Sequence, residues 1–141
     1  MMANGYKPII CVDFDGVIHS YSKGWQDGTI YDSMVPGFLE WAIKASASFQ
    51  ICIFSSRSLN PDKLKEMQTW LKRQIGSHFV HPEVSDAEIE NIFNLFYFVS
   101  HKPAAFVTID DRAITFKGDW EAPELQPYAI SQFKPWNAKP D

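Results

Sequence analysis

The sequence predicts an α/β fold: a three-layer, Rossmann-like arrangement with a central parallel sheet and helices on both faces. Three observations carry that prediction. Short apolar runs rich in β-branched residues alternate with helical patterns along the chain, as in units that build a parallel sheet. The runs are uninterrupted rather than alternating polar and apolar, which suits strands covered on both faces. Each main run also stops abruptly in a polar or acidic cluster, at the edge where such sheets bind ligands. A chain of 141 residues suits one domain with one core.

The first strand is expected over residues 8–14, from the run Ile9-Ile10-Cys11-Val12. It ends in Asp13, Asp15 and Gly16. Residues two apart on a strand share a face, so the two carboxylates repel one another and call for a bound cation or a shared proton. Gly16 frees the backbone to turn and to approach a ligand closely. Residues 18–31 change to Ser, Gly, Lys and Asp with Tyr21, Trp25 and Tyr31 interspersed. Gly24 and Gly28 exclude a helix there. The stretch is a flap over a site or a plain connection whose aromatics pack inward.

A helix is expected from Pro36, with Phe38, Leu39, Ala42, Ile43 and Ala45 as its stripe. A strand follows over 49–54 and stops at Ser55-Ser56-Arg57-Ser58. The next helix has Asn60 as cap, Pro61 in first position, a stripe of Leu64, Met67, Leu71 and Ile75, and Gly76 as its stop. His78 to His81 suggest a short strand. Ser85 with Glu88 forms a capping box for a helix whose face is Ile89, Ile92, Phe93 and Phe96. A strand over 104–109 ends in Asp110, Asp111 and Arg112, and a further short strand is expected over 113–116. The tail, 119–141, reads as irregular chain wrapped on the body by its aromatics.

Composition narrows the functional classes. A net charge of −4 argues against a broad nucleic-acid surface, leaving only a local basic patch. Cys11 and Cys52 lie inside apolar runs with no metal-ligand spacing, so they read as buried thiols. Residues 1–6 lack a signal-peptide core, and no run approaches the roughly 20 apolar residues of a membrane span. The expectation is a cytoplasmic protein with no membrane partner.

The strand ends converge. Asp13 and Asp15, Ser55, and Asp110 with Asp111 all fall at one sheet edge under this topology. Carboxylates gathered there need a cation. Oxygen ligands without His or Cys suit Mg²⁺, which keeps water or phosphate oxygens in its shell. A hydroxyl from Ser55 and a charge from Lys102, just before the last main strand, would complete a cradle for a phosphate. The neighbouring His101 would hold no fixed positive charge at neutral pH. Ser56 and Arg57 are placed to grip a second part of a substrate, unless Arg57 is simply a surface residue. Trp25 and Tyr21 could stack on a base or serve packing alone.

These residues resemble the motifs of the haloacid dehalogenase superfamily, in the right order over about residues 8–116. Asp13-Phe14-Asp15-Gly16-Val17 resembles the first motif, with Val17 where many members have Thr. Ser55 resembles the second, Lys102 the third, and Ile109-Asp110-Asp111 the fourth. The resemblance implies a small capless phosphatase. Asp13 would be the nucleophile that forms an aspartyl-phosphate. Asp15 would be the acid and base, with a raised pKa. Mg²⁺ would be held by Asp13, the backbone carbonyl of Asp15 and Asp110, with Asp111 acting through water or a more distant contact. Ser55 and Lys102 would stabilise charge on the transferring oxygens. Neither interval between motifs leaves room for a folded cap, so the site should be open, gated at most by the flap. The implied substrate is a nucleotide, a nucleic-acid end or another phosphate ester. The rival classes are a phospho-accepting signalling domain, which wants its acceptor aspartate near the position of Ser55, and a non-catalytic binding module, which would have lost a carboxylate.

Overall fold

The structure, a computed structural model, describes residues 6–79 and 85–138. Four strands form one all-parallel sheet: β1 (Ile9–Val12), β2 (Gln50–Ile53), β3 (Phe96–Phe98) and β4 (Val107–Ile109), in the order β3-β2-β1-β4. The helices α1 (Phe38–Ala45), α2 (Pro61–His78) and α3 (Asp86–Phe93) lie between these strands in sequence, and a short α4 (Pro127–Ser131) follows a single 3₁₀ turn, Pro123–Leu125. The register aligns Val12 with Ile53 and with Ile109. The residues just beyond them, Asp13, Phe54 and Asp110, therefore emerge side by side at the carboxyl edge.

The core grows on one face of the sheet. Ile10, Val12, Ile51, Ile53 and Phe96 share that face by register and pack with Phe38, Leu39 and Ala42 of α1 and Met67, Trp70, Leu71 and Ile75 of α2. Ile89, Ile92 and Phe93 of α3 join at the margin. The opposite face carries Cys11, Cys52, Tyr97 and Thr108. Both thiols are buried and unpaired, and burial pushes each above the ordinary thiol range. Among the described residues the second helical layer expected there is not seen in the core, and α4 has no buried residue. The hydrophobic core thus comprises two layers, sheet and helices.

Local chemistry explains the best-placed element. The Asn60 side chain accepts from the N–H groups of Asp62 and Lys63, and Pro61 occupies the first turn of α2. Gly76 does not stop that helix, which runs on to His78. A Cβ there would meet Ile89 of α3 at an ordinary contact distance, 3.4 Å, so Gly76 is simply tolerated inside the helix and does not terminate it. His78 is consequently helical rather than part of a strand, and Val80 and His81 lie outside the described residues. Ser85 Oγ accepts from Glu88 N–H and opens α3 as expected. Phe96 belongs to β3 and not to the α3 face. Residues 113–116 form no strand. The tail is mostly irregular but includes α4, and Trp120, Tyr128 and Trp136 are exposed. Among the described residues no helix is long and apolar enough to cross a membrane.

Candidate active site

The carboxyl edge of the sheet brings three carboxylates together. The Asp13 N–H donates to the Ile109 carbonyl at 3.0 Å, which seats Asp13 beside the end of β4. Asp13, Asp110 and Asp111 each offer an oxygen within 4.8 Å of the others. Asp110 is exposed and Asp13 half-buried. The Asp111 side chain is only 2% exposed, and both its oxygens are buried without a hydrogen-bond partner. A buried carboxylate without partners is expensive. Burial, with Asp110 and Asp111 adding negative charge, pushes Asp13 up to about 7. Burial likewise raises Asp111, with Asp110 adding to it. These three residues could hold a metal ion: the donor set is all oxygen and carries excess negative charge, offset only in part by Arg112, whose Nε lies 4.0 Å from Asp111 Oδ2. Asp111, placed by the sequence at one remove from the metal, stands in the cluster itself.

Gly16 is shaped by this cluster. Its φ of 84° lies in the left-handed region, and a Cβ built there would collide with the Asp111 carboxylate. The turn after β1 therefore closes directly over Asp111, which only glycine allows.

Asp15 points elsewhere, and its side chain is not part of the cluster. Arg57 Nε donates to Oδ2 at 2.8 Å and Nη2 to Oδ1 at 3.2 Å. His19 Nδ1 lies 2.9 Å from Oδ1. The Asp32 N–H donates to His19 Nε2 at 3.0 Å, so Nε2 is the acceptor and Nδ1 carries the hydrogen that Asp15 accepts. The imidazole is fully buried, with the rings of Phe14, Tyr21, Tyr31 and Trp70 packed around it. Burial alone would raise Asp15, but the hydrogen bonds from His19 and Arg57 outweigh it and hold its carboxyl below the ordinary range. The raised pKa expected for Asp15 is thus reversed. Its neighbour in sequence carries the upward shift.

Arg57 is neither a surface residue nor free to grip a ligand. It is 1% exposed, and its third nitrogen, Nη1, donates to the Gly28 carbonyl of the flap at 2.6 Å. Its backbone N–H donates to Ser55 Oγ at 3.2 Å, and Ser55 N–H donates to Ser58 Oγ at 3.0 Å. This tight turn after β2 aims the guanidinium back at Asp15. Ser55 is buried at that edge, while Ser56 is exposed. Trp25 lies between two cations, with Arg57 Cζ 4.5 Å and Lys63 Nζ 4.9 Å from its rings.

The flap is an ordered excursion. His19 forms single bridges to Asp15 and Met34, and the Asp32 carboxylate accepts from the N–H and hydroxyl of Ser22. Lys102 is exposed and, among the described residues, has no hydrogen-bond or ion-pair partner; its charge is felt at Cys11. His19 and the Asp15–Arg57 pair escaped the sequence reading. No local pattern marks them, because Arg57 reaches Asp15 from the end of another strand.

No family model matches the sequence, and neither a curated protein nor a solved structure does.

Proposed function

We propose that this chain is a Mg²⁺-dependent phosphomonoester hydrolase of the haloacid dehalogenase type, working through an aspartyl-phosphate at Asp13. One observation carries the reading: the buried Asp111 carboxylate, without a hydrogen-bond partner among the described residues and with only a 4.0 Å approach from Arg112, beside Asp13 and Asp110. Such a group calls for a cation, and hard oxygen ligands suit Mg²⁺. The Rossmann-like, capless form of the fold belongs to the same reading. Asp13, Asp110, Asp111 and the backbone carbonyl of Asp15 are the ligands it assigns. The ion, when bound, offsets repulsion between the carboxylates and a phosphate and stabilises charge in transfer.

The residues divide the work. Asp13 attacks phosphorus, the ester P–O bond breaks and the alcohol leaves. Water then attacks the aspartyl-phosphate, gives its proton to Asp15 and releases phosphate. His19 and Arg57 keep Asp15 ionised and fix its orientation, so it is prepared for that second step. The alcohol takes its proton from the same Asp15 in its protonated form, a minority form with both partners in place. Ser55 and Lys102 are assigned to the phosphate oxygens. Expected substrates are nucleotides, nucleic-acid ends or other phosphate esters.

The test is hydrolysis of a generic phosphate ester with Mg²⁺ present. Asp13→Asn should lower the rate by roughly 10³-fold or more while the protein stays folded, and a chelator should stop turnover. Full activity in that variant removes Asp13 as nucleophile, and chelator-insensitive turnover removes the metal.

A further inference from the structure

The C-terminal segment returns to the site. Trp136 Nε1 donates to the Gly16 carbonyl at 2.7 Å. Asn137 Nδ2 donates to the Ser20 carbonyl at 2.9 Å. Gly16 is the residue whose missing Cβ makes room for Asp111, so the indole is pinned beside the carboxylate cluster. Yet Trp136 is 65% exposed, and its ring contacts no aromatic or cationic side chain among the described residues. Its polar N–H is satisfied while its apolar faces stand open to water. A tryptophan held by its edge in this way keeps a fixed orientation.

The other tryptophans are committed. Trp70 is in the core, Trp41 packs against Phe38, and Trp120 lies on Phe116. Trp25, which the sequence offered for base stacking, has Arg57 and Lys63 against its rings. The one indole combining a site-edge anchor with open faces comes from the tail.

We propose that Trp136 is the platform on which the substrate's planar group rests, and that the substrate is a phosphomonoester bearing a nucleobase. Stacking on an aromatic face is tolerant of base identity and strong enough to decide substrate class. Asn137 is a positioning residue, holding the segment against the start of the flap. This inference rests on the phosphatase reading for its reaction but has a binding readout of its own.

The experiment measures kcat/KM, with Mg²⁺, on adenosine monophosphate, on a short oligonucleotide with a terminal phosphate, and on glycerol phosphate. Trp136→Ala should lower the ratio of nucleotide to glycerol phosphate kcat/KM by about 10-fold, and Trp136→Phe should keep most of it. The nucleotide source that loses more identifies the preferred form. An equal fall on all three substrates, or equal loss in Phe and Ala variants, overturns the platform. Quenching of tryptophan fluorescence by adenosine monophosphate separates the two readings. If nothing is hydrolysed but quenching occurs and is lost in Trp136→Phe, the platform stands and the phosphatase reading falls. If hydrolysis proceeds without a change in the ratio, the reverse holds.

Discussion

Two carboxylates two residues apart, Asp13 and Asp15, meet opposite surroundings. Asp13 faces Asp110 and Asp111 and is pushed up to about 7. Asp15 faces Arg57 and His19 and is held below the ordinary range. Both are largely buried, so desolvation is common to them and does not make the difference. What differs is whether the fold supplies the compensating charge. Around Asp15 it does, from the end of β2. Around Asp13 it supplies mainly more negative charge: a buried Asp111 without a hydrogen bond, approached by Arg112 only at 4.0 Å. The first cluster is complete as folded; the second could hold a cation from outside.

Mutation should break the two clusters with opposite signs. Arg57→Met removes three donated hydrogen bonds and leaves Asp15 buried with His19 alone. Breaking a buried pair in this way costs roughly 3–5 kcal/mol, read as a lower denaturant midpoint with unchanged slope. A loss under 1 kcal/mol would show that Asp15 does not need its partner.

Added Mg²⁺ should act only on the other cluster. At 100 times its dissociation constant a ligand specific for the folded state stabilises by about 2.7 kcal/mol. The gain should depend on pH. Asp13 has a folded value near 7 against an ordinary 3.8, so in the metal-free protein its contribution is fully present below about pH 4 and is lost as pH rises toward 7. Asp111 shifts in the same direction. Asp15 is depressed, so its contribution is lost only as pH falls below the ordinary carboxylate range. Thermal melts at pH 5, 6 and 7.5, with chelator and with Mg²⁺, should show a stabilisation that grows with pH. A shift of equal size at all three would separate the metal from these carboxylates. Asp111→Asn sharpens the point: without metal it should raise the melting temperature by a few degrees at pH 7.5, and it should abolish the response to Mg²⁺.

The order of legibility follows the range of the interactions. The parallel sheet and the Asn60–Pro61 start of α2 were readable because apolar runs and caps are local. The meeting of Asp13 with Asp110 was readable because parallel register carries strand ends to one edge. Residues 96–98 were not readable as a strand, since Phe96-Tyr97-Phe98 follows α3 with almost no punctuation and is only three residues long. The Gly76 signal misled because a single glycine inside a long helix costs only about 1 kcal/mol and need not end it. The partners of Asp15 could not be read at all. Arg57 sits in a run of serines that looks like a surface turn, and its burial depends on the turn at Ser55 aiming it inward. Trp136 looked like packing in an irregular tail, and only the fold brings its N–H to Gly16.

The smallest expected effect tests the flap side of the comparison. Trp25 lies against Arg57 and Lys63, and Arg57 also holds the Gly28 carbonyl. Trp25 thus covers the guanidinium that orders Asp15. Trp25→Ala should remove both cation–π contacts, to Arg57 and Lys63, at a cost of about 1 kcal/mol, and Trp25→Phe should restore part of it. Because the Arg57–Asp15 hydrogen bonds remain, KM for a phosphate ester should stay within about twofold and the loss should appear in stability. A large rise in KM with stability intact would place Trp25 against the substrate and return the flap to the role the sequence first suggested.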